Sequence, residues 1–199
     1  MADISIEDVK RLKDLSGAGL TDAKAALVEA GGDFDKALAA MRKKGLTKAE
    51  KRGEREARAG LVGTYNHDNR IGVLVEVNCE TEFVAKTDEF VALVKDLAMH
   101  IAASNPEFVS QDDIPADVRS KQQAEFADKA KSEGKPEKML GNIVDGMLKK
   151  HFAERCLMDQ PFVKNPDQTV ADYVKEYIAK LGENIVVRRF SRMALGEVE

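Results

Sequence analysis

The chain has 199 residues, and its 31 Lys+Arg against 35 Asp+Glu leave a formal net charge of −4, which argues against a highly basic nucleic-acid binder. Hydrophobic residues make up 43% and charged residues 33%, too apolar for a disordered chain and typical of one that buries a core. No apolar run approaches the roughly 18 residues of a membrane-spanning helix, which excludes that class.

Met1-Ala2-Asp3-Ile4-Ser5 lacks the basic start and apolar stretch of a signal peptide, so a cytoplasmic chain beginning here is expected. Cys79 and Cys156 form neither a disulfide framework nor a CxxC metal site, and His67, His100 and His151 are scattered. No metal or cofactor is expected.

Residues 4 to 43 read as three short helices. Ser5 caps the first, with Ile6, Val9, Leu12 and Leu15 on one side, and Gly17-Ala18-Gly19 ends it. Thr21 is the expected cap of the second, which carries Ala23, Ala26, Leu27 and Ala30 and stops at Gly31-Gly32. Asp33 starts the third, with Phe34, Ala37, Leu38 and Met41 inward. About 40 residues is near the lower limit for independent folding, so all three apolar faces must meet.

Arg42 to Arg58 holds eight basic residues and three glutamates with almost no apolar periodicity. A module over 1–45 and a charged linker over 46–58 follow. The run is compatible with nucleic-acid contact, but so mixed a charge pattern is more often a solvated helix or hinge.

The period then switches. Leu61, Val62 and Tyr65, then His67-Asp68-Asn69, then Ile71, Val73, Leu74, Val75 and Val77 predict a β-hairpin. Phe90, Leu93, Val94, Leu97, Ala98 and Ile101 predict an amphipathic helix closed by Asn105-Pro106. Residues 116 to 132 are charged and weakly periodic, while Leu140 to Phe152 is strongly helical, so a helical hairpin over 116–152 is expected. Thr169 caps a helix from Val170 to Leu181 that Gly182 ends, and Ile185 to Leu195 supplies a final strand. The expected class is α+β: a three-helix module, a linker, and a core over 59–199 in which an antiparallel sheet packs with helices.

Catalytic signatures are absent. There is no G-x-x-x-x-G-K-[ST] loop, HExxH or GxSxG, so neither a nucleotide-hydrolysing enzyme nor a hydrolase is indicated. Cys79, at a strand end, and Cys156 read as small buried apolar residues, and His151 as a helix-face histidine. The segment Asn78-Cys79-Glu80-Thr81-Glu82-Phe83-Val84-Ala85-Lys86 runs from a strand to a helix, where loops present functional side chains. Phe83 either plugs the local core, the reading that pattern alone favours, or stands exposed as an interface anchor. Glu80 and Glu82 are a candidate carboxylate pair.

Several segments carry a family resemblance. Val9-Lys10-Arg11-Leu12 through Gly17-Ala18-Gly19-Leu20, with Lys24 to Leu27 and Gly32-Asp33, resembles the N-terminal module of the translation elongation factor Ts family. Val75 to Lys86 resembles its signature segment, and Gln160-Pro161-Phe162-Val163 and Leu181-Gly182-Glu183-Asn184-Ile185 resemble its C-terminal part. The resemblance implies a guanine-nucleotide exchange factor for elongation factor Tu that makes and breaks no bond. It implies that the module, similar to a ubiquitin-associated domain, docks on the partner's GTPase domain, through a surface assigned to Val9, Leu12, Gly17, Gly19 and Leu20. It also implies that Thr81, Glu82, Phe83 and Val84 bind the partner and displace its magnesium ion, although the family commonly has aspartate at the position of Glu82. Longer members carry two related core halves, so a homodimer is expected of this shorter chain; no direct nucleic-acid contact is expected. The module alone would suit a ubiquitin-like adaptor, and the basic run a ribosome- or RNA-associated protein, but neither accounts for Thr81 to Lys86.

Overall fold

The structure, a computed structural model, describes residues 4–16 and 18–197. The first three helices are α1 (Ile6–Ser16), α2 (Leu20–Glu29) and α3 (Phe34–Arg52). Ser5 Oγ accepts the N–H of Asp8 at 2.9 Å and Asp33 Oδ1 that of Lys36 at 3.0 Å, so both expected caps form. Thr21 does not cap α2. The carbonyl of Gly19 already accepts the N–H of Ala23, so the helix begins at Leu20 with Gly19 as its capping residue. Val9, Leu12, Ala23, Ala26, Leu27, Ala37 and Met41 form the core of this module, whereas Ile6 and Leu15 stay exposed.

Helix α3 runs through the boundary expected at residue 45 and ends at Arg52. Residues 46–52 are mostly good helix formers, so the charged run continues the helix up to Gly53. There Arg52 Nη1 donates to the carbonyl of Ile178 at 3.0 Å, tying the helix end to the core.

The core is built on an antiparallel sheet of β1 (Ala59–His67), β2 (Ile71–Cys79) and a last strand, β5 (Ile185–Ala194), in the order β1-β2-β5. Asp68 and Asn69, at φ 50° and 55°, make the mirror-image turn that suits the strand twist. Val73, Val75, Val77 and Cys79 alternate inward from β2 and are covered by Phe90, Leu93, Val94, Leu97 and Ile101 of α5 (Asp88–Ser104). Just before α5 lies a single helical turn, α4 (Glu82–Ala85).

Helices α6 (Ala116–Ser132) and α7 (Leu140–Ala153) pack together over a separate small core of Ile114, Ala130, Val144, Leu148, Phe152 and Cys156. A short hairpin, β3 (Pro161–Phe162) with β4 (Asn165–Thr169), then leads into α8 (Val170–Leu181). Thr169 caps α8 by accepting the N–H of Asp172 at 3.1 Å, and Gly182 ends it at φ 80°. The hairpin is absent from the sequence reading because Asn165 to Thr169 has no apolar alternation. Its anchor is Phe162, buried and stacked on Tyr173 of α8 with ring centroids 4.1 Å apart.

Candidate partner-binding site

Strand β2 ends at Cys79, and two residues later the chain turns into α4. Thr81 sits in extended backbone and its Oγ1 accepts the N–H of Val84 at 3.3 Å, capping the turn. Val84 and Ala85 are buried, so they pin the turn against the core beneath β1 and β2. A helix three to four residues long must point its other residues away, and Glu82 and Phe83 do so. Phe83 is 82% exposed. The core-plug reading is therefore overturned: Val84 and Ala85 occupy the place beneath the turn, and the phenyl ring projects.

The turn is held from across the molecule. Glu183, directly after Gly182, accepts the N–H of Glu80 at 3.1 Å and that of Thr81 at 3.0 Å through Oε2, and the Thr81 hydroxyl at 2.6 Å through Oε1. Asn184 donates its backbone N–H to Glu80 Oε1 at 2.6 Å, and its side-chain amide donates to the carbonyls of Gly53 at 3.3 Å and Arg55 at 2.6 Å. Arg55 Nη1 also lies 3.6 Å from Glu80 Oε1. Glu80 is thus committed to Asn184 and Arg55, not to a carboxylate pair with the outward Glu82. Sequence reasoning assigned no role to Glu183 and Asn184; their only signal was the resemblance of Leu181 to Ile185, since their partners lie about a hundred residues earlier in the chain.

Cys79 is buried, its thiol donates to the Thr81 carbonyl at 3.2 Å, and burial, reinforced by the Glu183 carboxylate, pushes its pKa to about 11. A thiol so held is protonated at neutral pH and is no nucleophile. Burial pushes Cys156 to about 11 as well. His151 meets Phe126 and Phe152 edge-on, with ring centroids 5.3 and 5.2 Å away, as a packed helix-face residue. Among the described residues no cluster of His, Cys, Asp or Glu could hold a metal ion, and no helix is long and apolar enough to cross a membrane.

On the N-terminal module, Val9 and Leu12 are buried, which corrects their assignment to a contact surface: they hold the helices together. Gly19 and Leu20 are exposed, Leu20 at 55%, and Gly17 lies outside the described residues.

Residues 45–197 match the model of the family described as Elongation factor TS. The chain is 52% identical over 195 residues to elongation factor Ts of Moorella thermoacetica, covering 98% of this chain and 96% of that one. It is 51% identical over 190 residues to elongation factor Ts of Heliobacterium modesticaldum, covering 95% and 88%. With elongation factor Ts of Caldanaerobacter subterraneus it shares 49% over 195 residues, covering 98% of each. The chain belongs to the elongation factor Ts family. It is therefore a protein-synthesis factor with the family's α+β organisation. The family match begins at residue 45, but the alignments with these relatives reach across the three-helix module as well.

Proposed function

We propose that the chain is a guanine-nucleotide exchange factor for elongation factor Tu, and that Phe83 is the wedge by which it loosens GDP. The observation that carries this reading is a large aromatic side chain, 82% exposed, on a turn that Thr81 caps and that the buried Val84 and Ala85 pin to the core. An exposed phenyl ring gains about 2 kcal/mol or more when a partner buries it.

The partner's magnesium ion neutralises the nucleotide phosphates. A wedge that shifts the loops holding that ion removes part of this stabilisation, so GDP leaves faster. Thr81 caps the turn, Val84 anchors it, and Glu82 places a carboxylate beside the ring. Linkage requires nucleotide to weaken factor binding by the same ratio as the factor weakens nucleotide binding, so incoming GTP releases the factor. No covalent bond changes. The exposed Gly19 and Leu20 give the module its docking surface on the partner's GTPase domain, and the exchange cycle belongs to the cytoplasm, with neither membrane nor nucleic acid taking part.

Stopped-flow release of labelled GDP from elongation factor Tu tests the reading. Phe83→Ala should fold normally and slow release at least about tenfold, because a tenfold effect needs only about 1.4 kcal/mol. Glu82→Gln should slow it less. Near-normal release by folded Phe83→Ala would sink the wedge.

A further inference from the structure

We propose that Glu183 is the positioning residue of the wedge: it fixes the direction of Phe83 without touching the partner's nucleotide site, a role that rests on the exchange reading above. The turn carrying Phe83 is only four residues long, from Glu82 to Ala85, and one helical turn has too few internal hydrogen bonds to hold its own direction. Its orientation must come from outside. Inward, Val84 and Ala85 supply apolar anchorage, which fixes depth but is not directional. The far end of the turn is held by the Thr87 hydroxyl and N–H, both donating to the Val84 carbonyl; at the capping residue before its start, Glu183 takes both the N–H and the hydroxyl proton of Thr81, plus the N–H of Glu80.

The geometry leaves Thr81 no slack. With its hydroxyl proton given to Glu183 at 2.6 Å, the same oxygen is oriented to accept the N–H of Val84 at 3.3 Å, so the cap and the clamp share one atom. The Thr81 carbonyl accepts the Cys79 thiol and the N–H of Ala85. Three charge-assisted hydrogen bonds to one carboxylate are stronger than their neutral counterparts, and they join the start of the turn to the start of β5. A wedge accelerates release only if its ring arrives already aimed, because disorder in the free protein must be removed on insertion. Glu183 removes it beforehand. The neighbouring Asn184 closes the other side by donating its N–H to Glu80.

A positioning residue makes a prediction that a merely structural one does not. Removing it should lower the rate constant of GDP release from the saturated complex with elongation factor Tu, while the factor concentration at half-saturation barely moves. Its effect should also vanish when the wedge is absent. The experiment is a double-mutant cycle in the full chain, with Phe83→Ala, Glu183→Ala and the double variant, each checked by thermal unfolding. Glu183→Gln keeps the shape but turns one acceptor into a donor, and it carries the same cycle if Glu183→Ala does not fold. We expect Glu183→Ala to lower the saturated release rate about fivefold, Glu183→Gln to lower it less, and neither to lower it further in the Phe83→Ala background. An unchanged rate for Glu183→Ala, or an equal loss with and without Phe83, overturns the positioning role and leaves the wedge standing. Normal release by Phe83→Ala alone overturns both.

Discussion

Gly60 lies at φ 145°, and a Cβ there would run into the Val77 carbonyl oxygen and come within 2.8 Å of Asn78 Cα. Both obstacles are backbone in the adjacent strand, which cannot yield as a side-chain tip can. Gly60→Ala should therefore lower unfolding stability by about 2 kcal/mol or more, read as a fall in the urea midpoint; an unchanged midpoint would show that the strands can slide apart without cost. His100 is a second residue whose surroundings decide its chemistry. It is fully buried, its Nδ1 accepts the N–H of Val163 at 3.1 Å, and so Nε2 carries the proton and donates to Gln160 Oε1 at 3.0 Å. Burial holds its pKa below the ordinary histidine value, and burial shifts His151 the same way. The unfolded chain takes up these protons near pH 6.5 while the folded chain refuses them until lower pH, so more protons are bound when unfolded. Stability should be level above about pH 6.5 and fall below it until the lowered folded pKa is passed. Urea midpoints at about pH 7.5 and pH 5.5 check this, and His100→Gln should flatten the slope. Carboxylates held low by their partners, Asp33 by Lys36 and Glu76 by Arg189, start to cost stability only as the pH falls towards their ordinary values of 3.8 and 4.5.

At the scale of elements, what sequence reveals is local. The amphipathic stripe of α5, the Asp68-Asn69 turn, and the caps at Ser5, Asp33 and Thr169 are all set within a few residues and read correctly. Helix α3 overran its expected end because helix propensity continues through residues without an apolar stripe. The clamp at Thr81 was illegible, since nothing local tells that Glu183 folds back over a separation of 102 residues. The outward aim of Phe83 depends on which of two adjacent apolar residues, Phe83 or Val84, wins the inward place, and pattern alone does not rank them. The same contacts bear on where the chain can be cut. The module and the core bury separate apolar clusters, yet the end of α3 is tied to the core by Arg52 on Ile178, and the segment just after it by Asn184 on Gly53 and Arg55. A fragment starting at Arg55 keeps the whole core cluster, so it should fold, but with a lower melting temperature than the full chain. It should bind elongation factor Tu more weakly, because the exposed Gly19 and Leu20 are gone. Calorimetric titration decides this, and affinity equal to that of the full chain would refute docking through the module.

For the molecule as a whole, the outer face of the sheet is left uncovered among the described residues. Helix α5 covers the inner face of the sheet, but Val62, Leu74, Val186 and Met193 face outward from β1, β2 and β5, and Val62, Leu74 and Met193 are 66%, 52% and 75% exposed. Helix α7 offers no such surface, because Val144, Leu148 and Phe152 are buried against α6. The final strand remains. Its face carries both signs of charge, with Arg189 Nε donating to Glu76 Oε2 at 2.7 Å beside the apolar residues, so two copies related by a twofold axis can set each acid near the other's base. A face that is apolar and charge-complementary to itself fits a second copy of this chain better than a partner of one charge sign. We expect a homodimer in which the two sheets stack outer face to outer face, about 10 Å apart. Leu74→Asp would place two like charges at the centre of that contact, and since Leu74 is half exposed, the substitution should leave the monomer folded. Light scattering should give a dimer for the parent chain and a monomer for the variant, with the thermal transition of the parent rising with protein concentration. A parent chain that stays monomeric throughout, and binds elongation factor Tu one to one, would defeat the dimer while leaving the wedge untouched, because Phe83 projects from α4, past the end of β2, and not from the outer face of the sheet.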